Sequence, residues 1–113
     1  MGKLLNNFKR TFSQEKIAHP GIYQYLSPGE DPRNYRLHLR VEADGNGILI
    51  INASTILHLN QTATEYAYYL IQNETPEKVS KEISRRYKVD PSTAERDYLD
   101  LADSIQEMIN TPD

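Results

Sequence analysis

Residues 48–83 read ILIINASTILHLNQTATEYAYYLIQNETPEKVSKEI, and the fold is decided there. Ile48-Leu49-Ile50-Ile51 is uniformly apolar and predicts a middle strand, buried on both sides or nearly so. Asn52-Ala53-Ser54 is a short turn, after which Thr55-Ile56-Leu57-His58-Leu59 predicts a further strand that closes the sheet as an edge. Helices follow at once. Asn60 or Thr62 caps the first, with Thr62-Ala63-Thr64-Glu65 matching a capping box. Its apolar stripe is Ala63, Tyr66, Ala67, Leu70 and Ile71. Thr75-Pro76 opens the second helix, with threonine as N-cap and proline where its missing N–H costs nothing. Val79, Ile83 and Tyr87 line one face of it. Asp90-Pro91 repeats that chemistry for a third helix carrying Ala94, Tyr98, Leu101, Ile105, Met108 and Ile109.

Upstream, Tyr35, Leu37, Leu39, Val41 and Ala43 alternate with Arg36, His38, Arg40 and Glu42, the period-2 pattern of a strand with one wet face. Asp44-Gly45-Asn46-Gly47 then predicts a hairpin. Residues 1–34 read as an arm of short helix and loop. Leu4, Leu5, Phe8 and Phe12 make a turn or two of amphipathic helix that His19-Pro20 and Gly21 stop. Ile22–Leu26 could add a short strand, and 27–32 is a loop. Thr111-Pro112-Asp113 breaks the third helix and reads as the start of a linker, so the chain is expected to be a piece of a longer protein. The expected class is α+β: a three-stranded antiparallel sheet, then a three-helix cluster, in a winged-helix-like layout, with the domain proper at 35–110.

The 113 residues suffice for one domain with a modest core. No apolar run approaches the ~20 residues that span a bilayer, and the N-terminus lacks the continuous apolar segment of a secretory signal. There is no cysteine, which excludes disulfides, thiolate metal sites and a cysteine nucleophile. A cytoplasmic location is the expectation. Residues 1–40 carry seven Lys/Arg against three Asp/Glu, and residues 41–113 carry six against thirteen. A basic head on an acidic body argues against the body as a nucleic-acid surface.

His38 and His58 alternate out of apolar strands at no spacing typical of a metal site. The serines lack a nucleophile-elbow context, no glycine sits in a phosphate-cradling pattern, and Asp97 with Asp100 looks like a solvated helix face. Catalysis by this chain is therefore not expected, nor a cofactor. Tyr66, Tyr68 and Tyr69 cover more than one face of the first helix, so one of them is expected outside its core stripe, at the surface or as an anchor for a bound peptide. A winged-helix layout raises DNA binding, its most populous use, in which the third helix would enter the major groove. Here that helix bears Glu95, Asp97, Asp100, Asp103 and Glu107 against a single Arg96, and carboxylates repel a polyanion.

The joints of the chain resemble the PqqD-type domain, the leader-peptide recognition element of peptide-modifying enzymes. The resemblance rests on Ile48–Ile51, on Leu57-His58-Leu59-Asn60, Thr62-Ala63, Leu70-Ile71 and Thr75, and on Ile83, Tyr87, Val89-Asp90-Pro91 and Asp97. It covers residues 48–109, about half the chain. Gln72-Asn73-Glu74 replaces an Asp-Gly turn often found in the family, and the arm before Tyr35 has no obvious counterpart. The resemblance implies a non-catalytic, winged-helix-like domain that binds the leader of a precursor peptide. It would serve a peptide-modifying enzyme, with radical SAM enzymes among its partners, beside it or in the same longer chain. A leader would add as a strand to the edge Thr55, Ile56, Leu57, His58 and Leu59. Arg96, Leu99, Asp100 and Asp103, off the third helix's core stripe, would wall the groove. Neither nucleic acid nor membrane is an expected partner, and the domain would be a monomer or homodimer. The runner-up from another class is a dimerisation or scaffold module that exchanges the N-terminal arm between protomers.

Overall fold

The structure is a computed structural model that describes residues 18–111. Four strands, β1 (Gly21–Leu26), β2 (Arg36–Val41), β3 (Gly47–Ile51) and β4 (Thr55–Leu59), run into three helices, α1 (Gln61–Ile71), α2 (Pro76–Tyr87) and α3 (Pro91–Asn110). The sheet is an antiparallel meander in the order β1-β2-β3-β4. The protein is therefore α+β as expected, but with four strands rather than three among the described residues. Residues 21–26, grouped with the arm on sequence grounds, pair along their whole length with β2, from Gly21 opposite Val41 to Leu26 opposite Arg36. The amphipathic turn at Leu4, Leu5, Phe8 and Phe12 lies outside the described residues.

The two sheet faces differ sharply. Leu37, Leu39, Val41, Leu49 and Ile51 point to the helices and are buried. The opposite face carries Ile22, Leu26 and Ile56 at 59%, 69% and 57% exposure. β3 thus alternates, with Ile48 and Ile50 half-buried, and is not buried on both sides. Gly47 is needed for space. A Cβ there would stand 2.7 Å from the Thr64 hydroxyl, so the residue lets α1 lie close on the sheet. The β3–β4 turn holds Asn52 at φ 62° and Ala53 at φ 100°, a conformation costly for alanine.

α1 is covered on nearly every side, because it lies between the sheet and the other two helices. Ala67 and Ile71 join the sheet core, while Tyr66 and Tyr69 join Val79, Ile83, Ala94 and Tyr98 in a second cluster. Tyr68, half-buried, packs edge-on against Tyr23 of β1 at 5.0 Å between centroids. None of the three tyrosines is thus exposed, and the expectation of a surface tyrosine on α1 fails. The reason is that α1 has two buried faces where one apolar stripe was read.

The caps are as the sequence predicts, with one exception. The Thr75 hydroxyl accepts from the Lys78 N–H, and Asp90 accepts from Ser92. At α1 the Asn60 side chain accepts the Ala63 N–H at 2.9 Å, so no capping box forms at Thr62. Glu65 is freed for a different role. It is buried, and its carboxylate accepts a short hydrogen bond from the Tyr87 hydroxyl, which itself accepts from Gln61 at 3.1 Å. This polar link ties α1 to the end of α2.

The tyrosine-rich second cluster makes the fold sensitive to alkali. Burial pushes the Tyr69 and Tyr98 hydroxyls up to about 12, and burial raises Tyr66 and Tyr87 as well. An unfolded chain releases these protons near 10.0, so the folded state holds them longer. The resulting stability is fully present below that pH and is lost as pH rises through the folded values. Thermal midpoints should hold up to pH ~10 and fall steeply from there to ~12, with tyrosinate absorbance rising together with unfolding. A midpoint unchanged at pH ~11 would contradict this placement of the rings.

Candidate functional site

Hydrogen-bond phase decides what each sheet edge offers. The Asn52 N–H donates to the Arg36 carbonyl at 3.0 Å and the Glu42 N–H to the Asn46 carbonyl at 2.8 Å. Backbone groups alternate sides residue by residue along an antiparallel strand. Arg36, His38 and Arg40 therefore bond to β3, where His38 and Arg40 pair with Ile50 and Ile48. The groups of Gly47, Leu49 and Ile51 turn the other way and meet Leu59, Leu57 and Thr55 of β4. The N–H and C=O of Ile56 and His58 are left pointing off the sheet. Among the described residues β4 is an edge, as the sequence predicts, and these two residues carry its outward donors and acceptors.

Side chains on β4 divide by face. Leu57 and Leu59 pack half-buried against the core cluster beneath the sheet, which Leu101, Met108 and Ile109 of α3 also join. Ile56 and His58 are exposed on the opposite face, and Thr55 is half-buried. An incoming strand would thus continue two different surfaces, one apolar and helix-covered, one open to solvent.

On α3 the contact with the core is made by Ala94, Tyr98, Leu101, Ile105, Met108 and Ile109. Arg96, Leu99, Asp100 and Asp103 are exposed, with Leu99 at 42%. Helical periodicity puts Leu99 and Asp103 in line with Gln106 and Asn110. That flank meets the β1–β2 loop, since the Arg33 guanidinium donates to Gln106 at 2.5 Å and to Asn110 at 3.2 Å. Arg33 also pairs with Asp31 at 2.8 Å and lies 4.9 Å from the centroid of the Tyr35 ring. The neighbouring guanidinium holds the Asp31 carboxyl below its usual range. Next to this strap is a cleft of ≈ 120 Å³ whose lining includes Tyr25, Tyr35, Leu70 and Ala102. Its strand walls come from the β1–β2 side of the sheet. Neither strap nor cleft was read from the sequence, where an Arg-Asn pair in a proline-rich loop carries no sign of a partner on α3.

The histidines stand apart from one another. His38 shares a hydrogen bond with Gln24 at 3.2 Å, and His58 lies two strands away. Among the described residues no group of three His, Cys, Asp or Glu side chains is placed to hold a metal ion, and no helix is long and apolar enough to cross a membrane. Comparison with protein-family models, curated proteins and solved structures returns no match.

Proposed function

We propose that the protein is a non-catalytic peptide-recognition domain, winged-helix-like and of the PqqD kind. In this role it takes a precursor's leader segment as an added strand on β4 and presents the peptide to a modifying enzyme. The observation that carries this reading is the outward amide and carbonyl of Ile56 and His58 on an edge that runs straight into α1. Strand addition draws its affinity from such main-chain groups and its specificity from pockets for alternate side chains. Here Leu57, Leu59 and the α3 residues Leu101 and Met108 supply apolar contact for one face of the guest. Arg96, Leu99, Asp100 and Asp103 were expected to wall this groove, but Leu99 and Asp103 lie on the flank of α3 that meets the β1–β2 loop, so the reading rests on the β4 edge and not on them. The acidic balance of residues 41–113 suits a leader with basic residues.

Selection from a displayed library of random 20-residue peptides tests the reading. Enriched sequences should alternate apolar and polar residues and carry lysine or arginine, and they should bind in the micromolar range by fluorescence anisotropy. A selection that enriches nothing above scrambled controls contradicts it.

Duplex DNA is the natural competitor for any helix that follows a β-hairpin. Glu95, Asp97, Asp100, Asp103 and Glu107 are all exposed on α3, and each would face a phosphate with like charge. Binding should be no tighter than about 10⁻⁴ M at physiological salt, the weak end of non-specific association. A micromolar complex that weakens steeply with salt would place α3 in a groove and overturn the peptide assignment.

A further inference from the structure

We propose that β1, the other edge of the sheet that the described residues form, is a self-pairing strand that joins two copies of the chain about a twofold axis at Gln24. The Ser27 N–H donates to the Tyr35 carbonyl at 2.9 Å, which sets the ladder phase on this side. Tyr25, Tyr23 and Gly21 bond to Leu37, Leu39 and Val41, and the N–H and C=O of Ile22, Gln24 and Leu26 point off the sheet. This role is independent of any peptide on β4, at the opposite end of the strand order.

Three features of the strand fit its own copy. First, Gly21-Ile22-Tyr23-Gln24-Tyr25-Leu26 holds no charge and no proline, the residues that usually blunt an edge. A second copy meets no like charge along it. Second, the outward residues are evenly spaced about Gln24. An antiparallel partner centred there sets Ile22 opposite Leu26 of the second copy, Gln24 opposite Gln24, and Leu26 opposite Ile22, each pair exchanging two backbone hydrogen bonds. Third, that register brings like chemistry together on both faces. Ile22 and Leu26, two of the most exposed large apolar side chains among the described residues, become cross-strand neighbours on the open face. Tyr23 and Tyr25 become aromatic cross-strand pairs on the helix-covered face, where such pairs add to sheet stability. The Gln24 amides, each already bonded to His38, meet at the axis. Two four-stranded sheets would then run on as one of eight strands.

Two six-residue strands make a small interface, so the dissociation constant is expected on the order of 10⁻⁵–10⁻⁴ M. Sedimentation of the full chain from about 10 µM to about 1 mM should show the mass rising from 13.0 kDa towards twice that value. Ile22→Lys with Leu26→Lys sets ammonium against ammonium in both outer pairs and should weaken association at least about tenfold. Ile22→Lys with Leu26→Glu sets opposite charges in the same two pairs and should restore it. Both positions are exposed, and the thermal midpoint of each variant verifies that the sheet survives. Persistence of a monomer at 1 mM overturns the proposal, as does equal association of the two charge variants. So does a dimer abolished by Phe8→Glu with Phe12→Glu but untouched by the charge pairs at 22 and 26, which would assign it to exchange of the arm.

Discussion

Leu49→Ala should lower the unfolding free energy by ~2–5 kcal/mol, a large part of what holds a domain of this size together. Leu49 is fully buried at the centre of the sheet, with Leu39 on one side and Leu57 on the other. Strands pinned by hydrogen bonds on both sides cannot collapse into the space vacated, so the cavity cost adds to the lost transfer energy. Leu101→Ala is the instructive comparison. On sequence grounds Leu101 sits mid-stripe on the longest helix and would be expected to cost as much. In the structure it is only half-buried, although it touches both core clusters. Its truncation should cost nearer ~2 kcal/mol, because part of its surface is already in water. Chemical denaturation of the two variants would check the order. A Leu101→Ala variant less stable than Leu49→Ala would mean that α3, rather than the sheet, carries the core.

Ile56→Pro should cut peptide affinity roughly ten- to a hundredfold and leave the fold nearly as stable as before. Proline removes the N–H at 56 and sets a ring at the edge, so a guest strand's carbonyl is left without a donor, at ~1–3 kcal/mol. Inside the domain that N–H bonds to nothing in the sheet, and proline is tolerated on edge strands whose N–H faces outward. The ladder phase makes position 56 the right one. Proline at Leu57 would break a bond to Leu49 and unsettle the core contacts of Leu57 itself, confusing loss of binding with loss of fold. Ile56→Ala serves as the control, since it trims the exposed side chain and keeps the donor. Titration of a selected peptide against the three proteins should separate proline from alanine. Equal affinity for all three would remove the strand-addition mechanism.

Much of this architecture is written in local chemistry. The alternation of 35–43 gives β2, Thr75-Pro76 and Asp90-Pro91 mark two helix starts, and the stripe from Ala94 to Ile109 gives α3 and its phase. The edge status of β4 was also legible, because Leu59 passes through Asn60 directly into a capped helix. What escaped has a common cause. β1 shows no apolar–polar alternation, since Ile22 and Leu26 face solvent while Tyr23 and Tyr25 face the helices. Glu65 reads as a capping residue until Asn60 takes the cap and leaves it buried beside Tyr87. Gly47 reads as a turn residue, whereas its role is to admit Thr64. Each depends on contacts between distant segments, to which sequence patterns are blind.

For the proposed site, the exposure of Arg96, Leu99, Asp100 and Asp103 followed from helix phase. The strap from Arg33 to Gln106 and Asn110 did not, since it joins residues more than seventy apart.

Amide hydrogen exchange along β4 tests the central claim most directly. In the free protein the amides of Leu57 and Leu59, bonded to β3, should exchange slowly, and those of Ile56 and His58 should exchange fast. On addition of a selected peptide, Ile56 and His58 should become protected while Leu57 and Leu59 stay as they were. Protection at Ile56 and His58 already present in the free monomer, or exchange there that a bound peptide leaves unchanged, would contradict an open edge that receives a strand.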